Sequence, residues 1–168
     1  MELRPFLLWI LILSGTEGLA FNATQRAVTC RDGWTSYRNS CYLFVDSEQE
    51  DWTEAQKHCE LFHGYLADIV DADESTFVKT ELQHRHASGC FYIGATDLEL
   101  EGHWLWVHTD DPVQYTDWGQ GEPNAVTREN CVCLWDGVQF GWADVLCTLD
   151  YNFICKMSLT GTDPDVIG

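Results

Sequence analysis

The sequence predicts an α+β domain closed by disulfides, with helices early in the chain and strands late. Three observations carry that expectation. Two amphipathic segments with helix-start signals lie between residues 51 and 86, short aromatic and β-branched runs follow from Cys90 onward, and the chain holds eight cysteines.

In chain order, a short charged start at Met1–Arg4, the apolar run Phe6–Leu13 and the small residues Gly18-Leu19-Ala20 read as a secretory signal cut after Ala20. The apolar run is too short for a membrane span, which needs roughly 20 residues, so no membrane insertion is expected and the location is extracellular. Residues 21–29 form an N-terminal segment in which Asn22-Ala23-Thr24 is a glycosylation acceptor. Residues 30–156 form one domain, and 157–168 a tail.

Asp51-Trp52-Thr53-Glu54 has the form of an N-cap with an acidic partner three residues on. Trp52, Ala55, Cys59 and Phe62 then recur at helical spacing until Gly64 stops the turn. Asp71-Ala72-Asp73-Glu74 repeats the start signal, and Phe77, Val78 and Leu82 give a weaker apolar face ending between Gln83 and His86. The runs Phe91–Ile93, Trp104–Val107, Cys131–Trp135, Phe140–Trp142 and Tyr151–Lys156, split by Gly, Asp and Pro, read as antiparallel strands. Between them, Thr109–Asn130 is the longest stretch without periodicity. Tyr115 and Trp118 anchor its middle, which favours a functional loop.

Nine basic side chains against 27 acidic ones give a net charge of −18. Such a surface repels phosphate backbones and anionic headgroups, which argues against nucleic acid as a partner. The even cysteine set suits an oxidising compartment, although spacing alone does not give the pairing. Cys131-Val132-Cys133 lacks the second pair that a cysteine zinc site needs. His84-Arg85-His86 sits at a helix C-terminus, where cations complement the dipole, rather than at a metal site. No serine, cysteine or carboxylate falls in a catalytic arrangement, so no enzyme is expected.

Taken in order, Cys30-Arg31-Asp32-Gly33-Trp34, Ser40-Cys41-Tyr42-Leu43-Phe44, Cys59 in its helix, Tyr92-Ile93-Gly94-Ala95, Gly102-His103-Trp104-Leu105-Trp106, Trp118 to Asn124, Cys131, Trp142 to Cys147 and Phe153-Ile154-Cys155 resemble a C-type lectin domain. The resemblance covers about Cys30 to Lys156. It implies two helices flanking antiparallel sheets, a long ligand loop, and disulfides Cys30–Cys41, closing an N-terminal hairpin, Cys59–Cys155 and Cys131–Cys147. Cys90 and Cys133 remain; a fourth internal bond is the first expectation, against buried thiols or an intermolecular bridge.

The same resemblance implies a principal calcium site at Glu122, Asn124, Glu129 and Asp144, which also meets the sugar. Calcium takes six to eight oxygen ligands, and three carboxylates with one amide supply part of that set. The bond preceding Pro123 is expected to be cis, turning both flanking side chains toward one ion. Glu122 accepts from a sugar hydroxyl and Asn124 donates to one; in this family Glu-Pro-Asn goes with mannose-type sugars. Asp97 and Glu101 match an accessory calcium site, whose alternative is ordinary loop capping. Two departures stand out there: Ala125 where an acidic ligand is expected, and Asn130 in place of another. Ala143 replaces an asparagine that normally ligates calcium and sugar. The expected function is calcium-dependent recognition of mannose-type glycans, with innate immune recognition of microbes as a family analogy and homo-oligomers supplying avidity. The alternative is a non-carbohydrate ligand, a protein or a mineral matrix.

Overall fold

A computed structural model describes residues 29–124 and 128–159. The signal segment 1–20, Asn22, Ala125 and the tail from residue 160 lie outside the described residues.

The chain opens with a hairpin, β1 (Thr35–Tyr37) and β2 (Ser40–Glu50), ahead of the first helix. The hairpin is expected from the resemblance alone, since the second half of β2 is acidic, exposed from Asp46 to Gln49 and half-buried at Glu50, and shows no strand periodicity. Helix α1 (Trp52–Leu61) starts where its signal places it: the Asp51 carboxylate accepts from the Glu54 N–H at 2.9 Å, and Trp52, Ala55 and Cys59 are buried. The turn after α1 departs from the expectation. His63 takes the left-handed conformation, φ 60°, whereas Gly64 is needed because a Cβ there would lie 2.7 Å from the Lys156 carbonyl oxygen. The strand β3 (Tyr65–Leu66) then leads to α2 (Ala72–His84), capped by Asp71 and burying Val78 and Leu82.

The second half comprises β4 (Cys90–Thr96), β5 (Leu105–Trp106), β6 (Asp111–Pro112), β7 (Cys131–Trp135), β8 (Gly141–Val145) and β9 (Tyr151–Ser158). These pair antiparallel except β4 with β9, which run parallel at Phe91–Asn152 and Tyr92–Phe153. The pairing β2 with β9, from Ser40–Ser158 to Glu50–Tyr151, joins the two ends of the domain. Alternation along the strands divides the interior. Phe91, Ile93, Val132, Leu134, Trp142 and Ile154 share one cluster with α2, while Tyr92, Cys131, Cys133, Ala143, Phe153 and Cys155 share another with α1.

All eight cysteines are paired: Cys30–Cys41, Cys59–Cys155, Cys131–Cys147 and Cys90–Cys133. The leftover pair lies on adjacent strands, β4 and β7, with its Cα atoms 5.5 Å apart.

Candidate functional site

The site is built where the long loop returns to β7 and β8. Trp118 forms a bridge to Trp142, the Gly119 N–H donates to the Trp142 carbonyl at 2.8 Å, and the Trp142 N–H donates to the Asp117 carbonyl at 2.8 Å. This close approach requires Gly119, because a Cβ there would meet Val138 Cγ2 at 2.5 Å. The rings of Tyr115, Trp118 and Trp106 pack edge-on against buried Trp142, with centroids 5.7–6.1 Å away. From the other side, α2 holds the loop entrance. Lys79 Nζ lies 2.6 Å from Asp117 Oδ2, and the Ser75 hydroxyl donates to the same oxygen at 2.5 Å. Burial pushes the Asp117 carboxyl up, but the hydrogen bonds from Lys79 and Ser75 outweigh it and hold the group below its usual range.

On this scaffold the Glu122 N–H donates to the Gly119 carbonyl, and the Glu122–Pro123 peptide is cis. The Asn124 N–H donates to Asp144 Oδ1 at 3.0 Å, clamping the loop tip to β8. Asp144 is buried and sits opposite Val132 in the β7–β8 ladder. Glu129 lies just ahead of β7. Its neighbour Asn130 is fixed because the carbonyl accepts from the Asp97 N–H at 3.2 Å and from the Thr96 hydroxyl at 2.7 Å. Glu122 and Asn124 on the loop, Glu129 at its return and Asp144 on β8 thus interact at one end of the sheet, Asp144 and Asn124 with Glu122 by hydrogen bonds and Glu129 by its charge.

The electrostatics are those of a cluster short of positive charge. Burial, then hydrogen bonding with Asp144, then the charges of Asp144 and Glu129 push the Glu122 carboxyl up to about 7, against a smaller lowering by the Asn124 amide. Among the described residues, Glu122 Oε2 and Glu129 Oε2 are buried with no hydrogen-bond partner. Buried carboxylate oxygens without partners carry a desolvation cost, which a bound cation would offset. The donor set, all oxygen, fits a hard divalent cation.

Asp97, 2 % exposed, behaves first as a loop cap, its Oδ2 accepting from the Gly102 N–H at 2.7 Å, while Oδ1 is buried with no hydrogen-bond partner among the described residues. Glu101 is exposed on the same turn. Ala143 is 3 % exposed, opposite Cys133. Ser75, Lys79 and Asp117 were not singled out from the sequence. The two helix residues are four apart and hence on one face, a spacing that marks a shared partner but does not reveal which carboxylate it is.

Residues 48–157 match the Lectin C-type domain family. A perlucin-like protein of Mytilus galloprovincialis is 34 % identical over 131 residues, 76 % of this chain and 83 % of that protein. Lectin BRA-3 of Megabalanus rosa is 30 % identical over 151 residues, 87 % and 90 % of the two chains. Among solved structures, the C-type lectin domain of murine dendritic cell inhibitory receptor 2 in complex with N-glycan has a TM-score of 0.69 at 25 % identity, covering 77 % of this chain and 99 % of that one. Herring type II antifreeze protein reaches 0.70 at 30 % identity, covering 78 % and 100 %. With its family match, these relatives, two helices, paired strands and four disulfides, this chain belongs to the C-type lectin domain family.

Proposed function

We propose that this protein is a secreted lectin that recognises mannose-type glycans through a calcium ion held by Glu122, Asn124, Glu129 and Asp144. The observation that carries the reading is the pair of buried, unpartnered carboxylate oxygens on Glu122 and Glu129, beside Asp144. When bound, calcium supplies positive charge among these carboxylates and open coordination positions for two hydroxyls of a sugar. The chain's own groups do the rest. Glu122 accepts a hydrogen bond from one hydroxyl, the Asn124 amide donates to another, and the Trp118–Trp142 bridge keeps the loop from folding away. Asp97 and Glu101 are the proposed ligands of an accessory ion. One such domain holds a monosaccharide weakly, so clustering into homo-oligomers gives useful avidity. Glycosylation at Asn22 and a role in innate immune recognition of microbes complete the proposal.

The test is retention on a mannose resin. The protein should bind in millimolar calcium, and chelator or free mannose should release it; a folded protein that passes through unretained overturns the reading.

A second reading has its own support. Ala143 supplies a methyl group where the family resemblance calls for an amide, and the perlucin-like and antifreeze relatives carry names that do not imply a glycan. In that reading the same face meets a protein or a mineral matrix. Calcium binding without any glycan binding is its signature.

A further inference from the structure

We infer that Glu48, Glu50 and His58 form a site for a zinc-type divalent cation, separate from the loop carboxylates. None of the three belongs to the long loop or to β7 or β8. Glu48 and Glu50 are two apart at the end of β2, where the pairing with β9 is irregular between Val45 and Glu50, and both carboxylates reach His58. The chain turns at once into α1, whose second turn carries His58.

The ligand atoms of the three residues lie within 4.8 Å of one another. His58 Nδ1 is 3.1 Å from Glu50 Oε1 and 4.0 Å from Glu48 Oε2. The imidazole is held by its neighbours, with ring centroids 5.5 Å from Phe62 and 5.0 Å from Phe153. Glu50 Oε2 is buried and has no hydrogen-bond partner among the described residues, so the His58–Glu50 contact leaves half of that carboxylate unsatisfied. A cation seated between the groups would use that oxygen and neutralise two adjacent negative charges.

The donor set selects the ion. Calcium and magnesium take oxygen ligands, whereas one imidazole nitrogen with two carboxylates suits zinc, which commonly keeps a water in its fourth position. Glu48 stays largely open to solvent, with 65 % of its side-chain surface exposed, which provides an entry path.

Calorimetric titration of zinc chloride into the untagged full chain, with calcium saturating, tests the inference. One equivalent of zinc should bind, and His58→Gln and Glu50→Gln should each weaken it at least tenfold. Glu48→Gln, at an exposed side chain with little part in the fold, should weaken it severalfold and decides the matter if either of the others fails to fold. Absence of saturable zinc binding to the wild type, or equal zinc affinity in the folded variants, would overturn it. Displacement of the zinc by millimolar calcium would also overturn it, because the site would then not be selective for an imidazole-binding ion.

Discussion

The Lys156 ammonium lies 2.6 Å from Glu74 Oε1 inside the domain, with the two side chains 9 % and 3 % exposed. Asp68 Oδ1 is 2.5 Å from the same ammonium, and Tyr42 donates its hydroxyl to Glu74. The Tyr42 hydroxyl is raised well above its usual range, first by burial and then by that hydrogen bond. Removing one charge of such a pair strands the other. Lys156→Met should therefore destabilise the fold by about 3–5 kcal/mol, read as the shift in urea denaturation. Lys156→Met with Glu74→Gln should recover part of the loss, and a single variant as stable as wild type would show that the network contributes little.

The Glu122 carboxyl gives a pH dependence whose sign is opposite to that of an ordinary salt-bridged acid. Its value of about 7 in the folded chain stands above the ordinary 4.5, so between those two values the folded, cation-free chain binds more protons than the unfolded chain. In chelator, stability should fall as pH rises through that window, and Glu122→Gln should flatten the curve. With calcium present, protons compete with the ion, so mannose retention should decline on acidification from neutrality and not only near pH 4. Denaturation midpoints at several pH values in chelator, together with resin retention, check both halves.

An ion bound only by the folded state raises thermal stability by mass action. At about a hundredfold excess over Kd the gain is about 2.7 kcal/mol, equivalent to roughly 5–10 °C in Tm for a domain of this size. Melting curves with calcium and with chelator measure it. Superimposed curves would mean that the loop carboxylates hold no calcium.

Exchanging Glu122→Gln together with Asn124→Asp keeps the number of oxygen ligands while reversing which hydroxyl meets a donor and which an acceptor. Preference should move from mannose toward galactose in a competition series. Mannose persisting as the stronger competitor at its original level would refute the assigned roles of these two side chains.

Much of the fold was legible because helix starts and core stripes are local. Asp51 and Asp71 cap the helices they announce, and Trp52, Ala55, Cys59, Val78 and Leu82 are buried as their spacing requires. The acidic end of β2 was not legible as a strand, since Asp46 to Gln49 fall in an irregularity of the β2–β9 pairing, which resumes only at Glu50–Tyr151, and their side chains carry no alternation. The two-residue strand β3 was missed because its partner β9 is distant in sequence, whereas β6 closes a tight hairpin with β5 through Asp111-Pro112, a pair with little strand character of its own. At the site, Glu122, Asn124, Glu129 and Asp144 could be named from the sequence by resemblance. The unpartnered oxygens could not, because burial of Glu122 Oε2 and Glu129 Oε2 is set by the folded path of the loop rather than by neighbouring residues in sequence. The Asp68–Glu74–Lys156–Tyr42 network was also invisible, since a glutamate in a first helical turn reads as a dipole partner until a lysine 82 residues away is found against it.

The pairing of Ser40 with Ser158 and the Cys59–Cys155 bond together decide how the domain carries mechanical load. A pull on the two ends acts on neighbouring strands from the same side and opens their hydrogen bonds one at a time, like a zipper. From the C-terminal side it reaches Cys155 within a few residues. There the load passes covalently to Cys59 and returns through α1 and β2, bypassing residues 60–154. Glu122, Asn124, Glu129 and Asp144 all lie within that bypassed segment, so a ligand gripped at the loop tip could be dragged by flow while tension between the chain ends leaves the geometry of the grip unchanged.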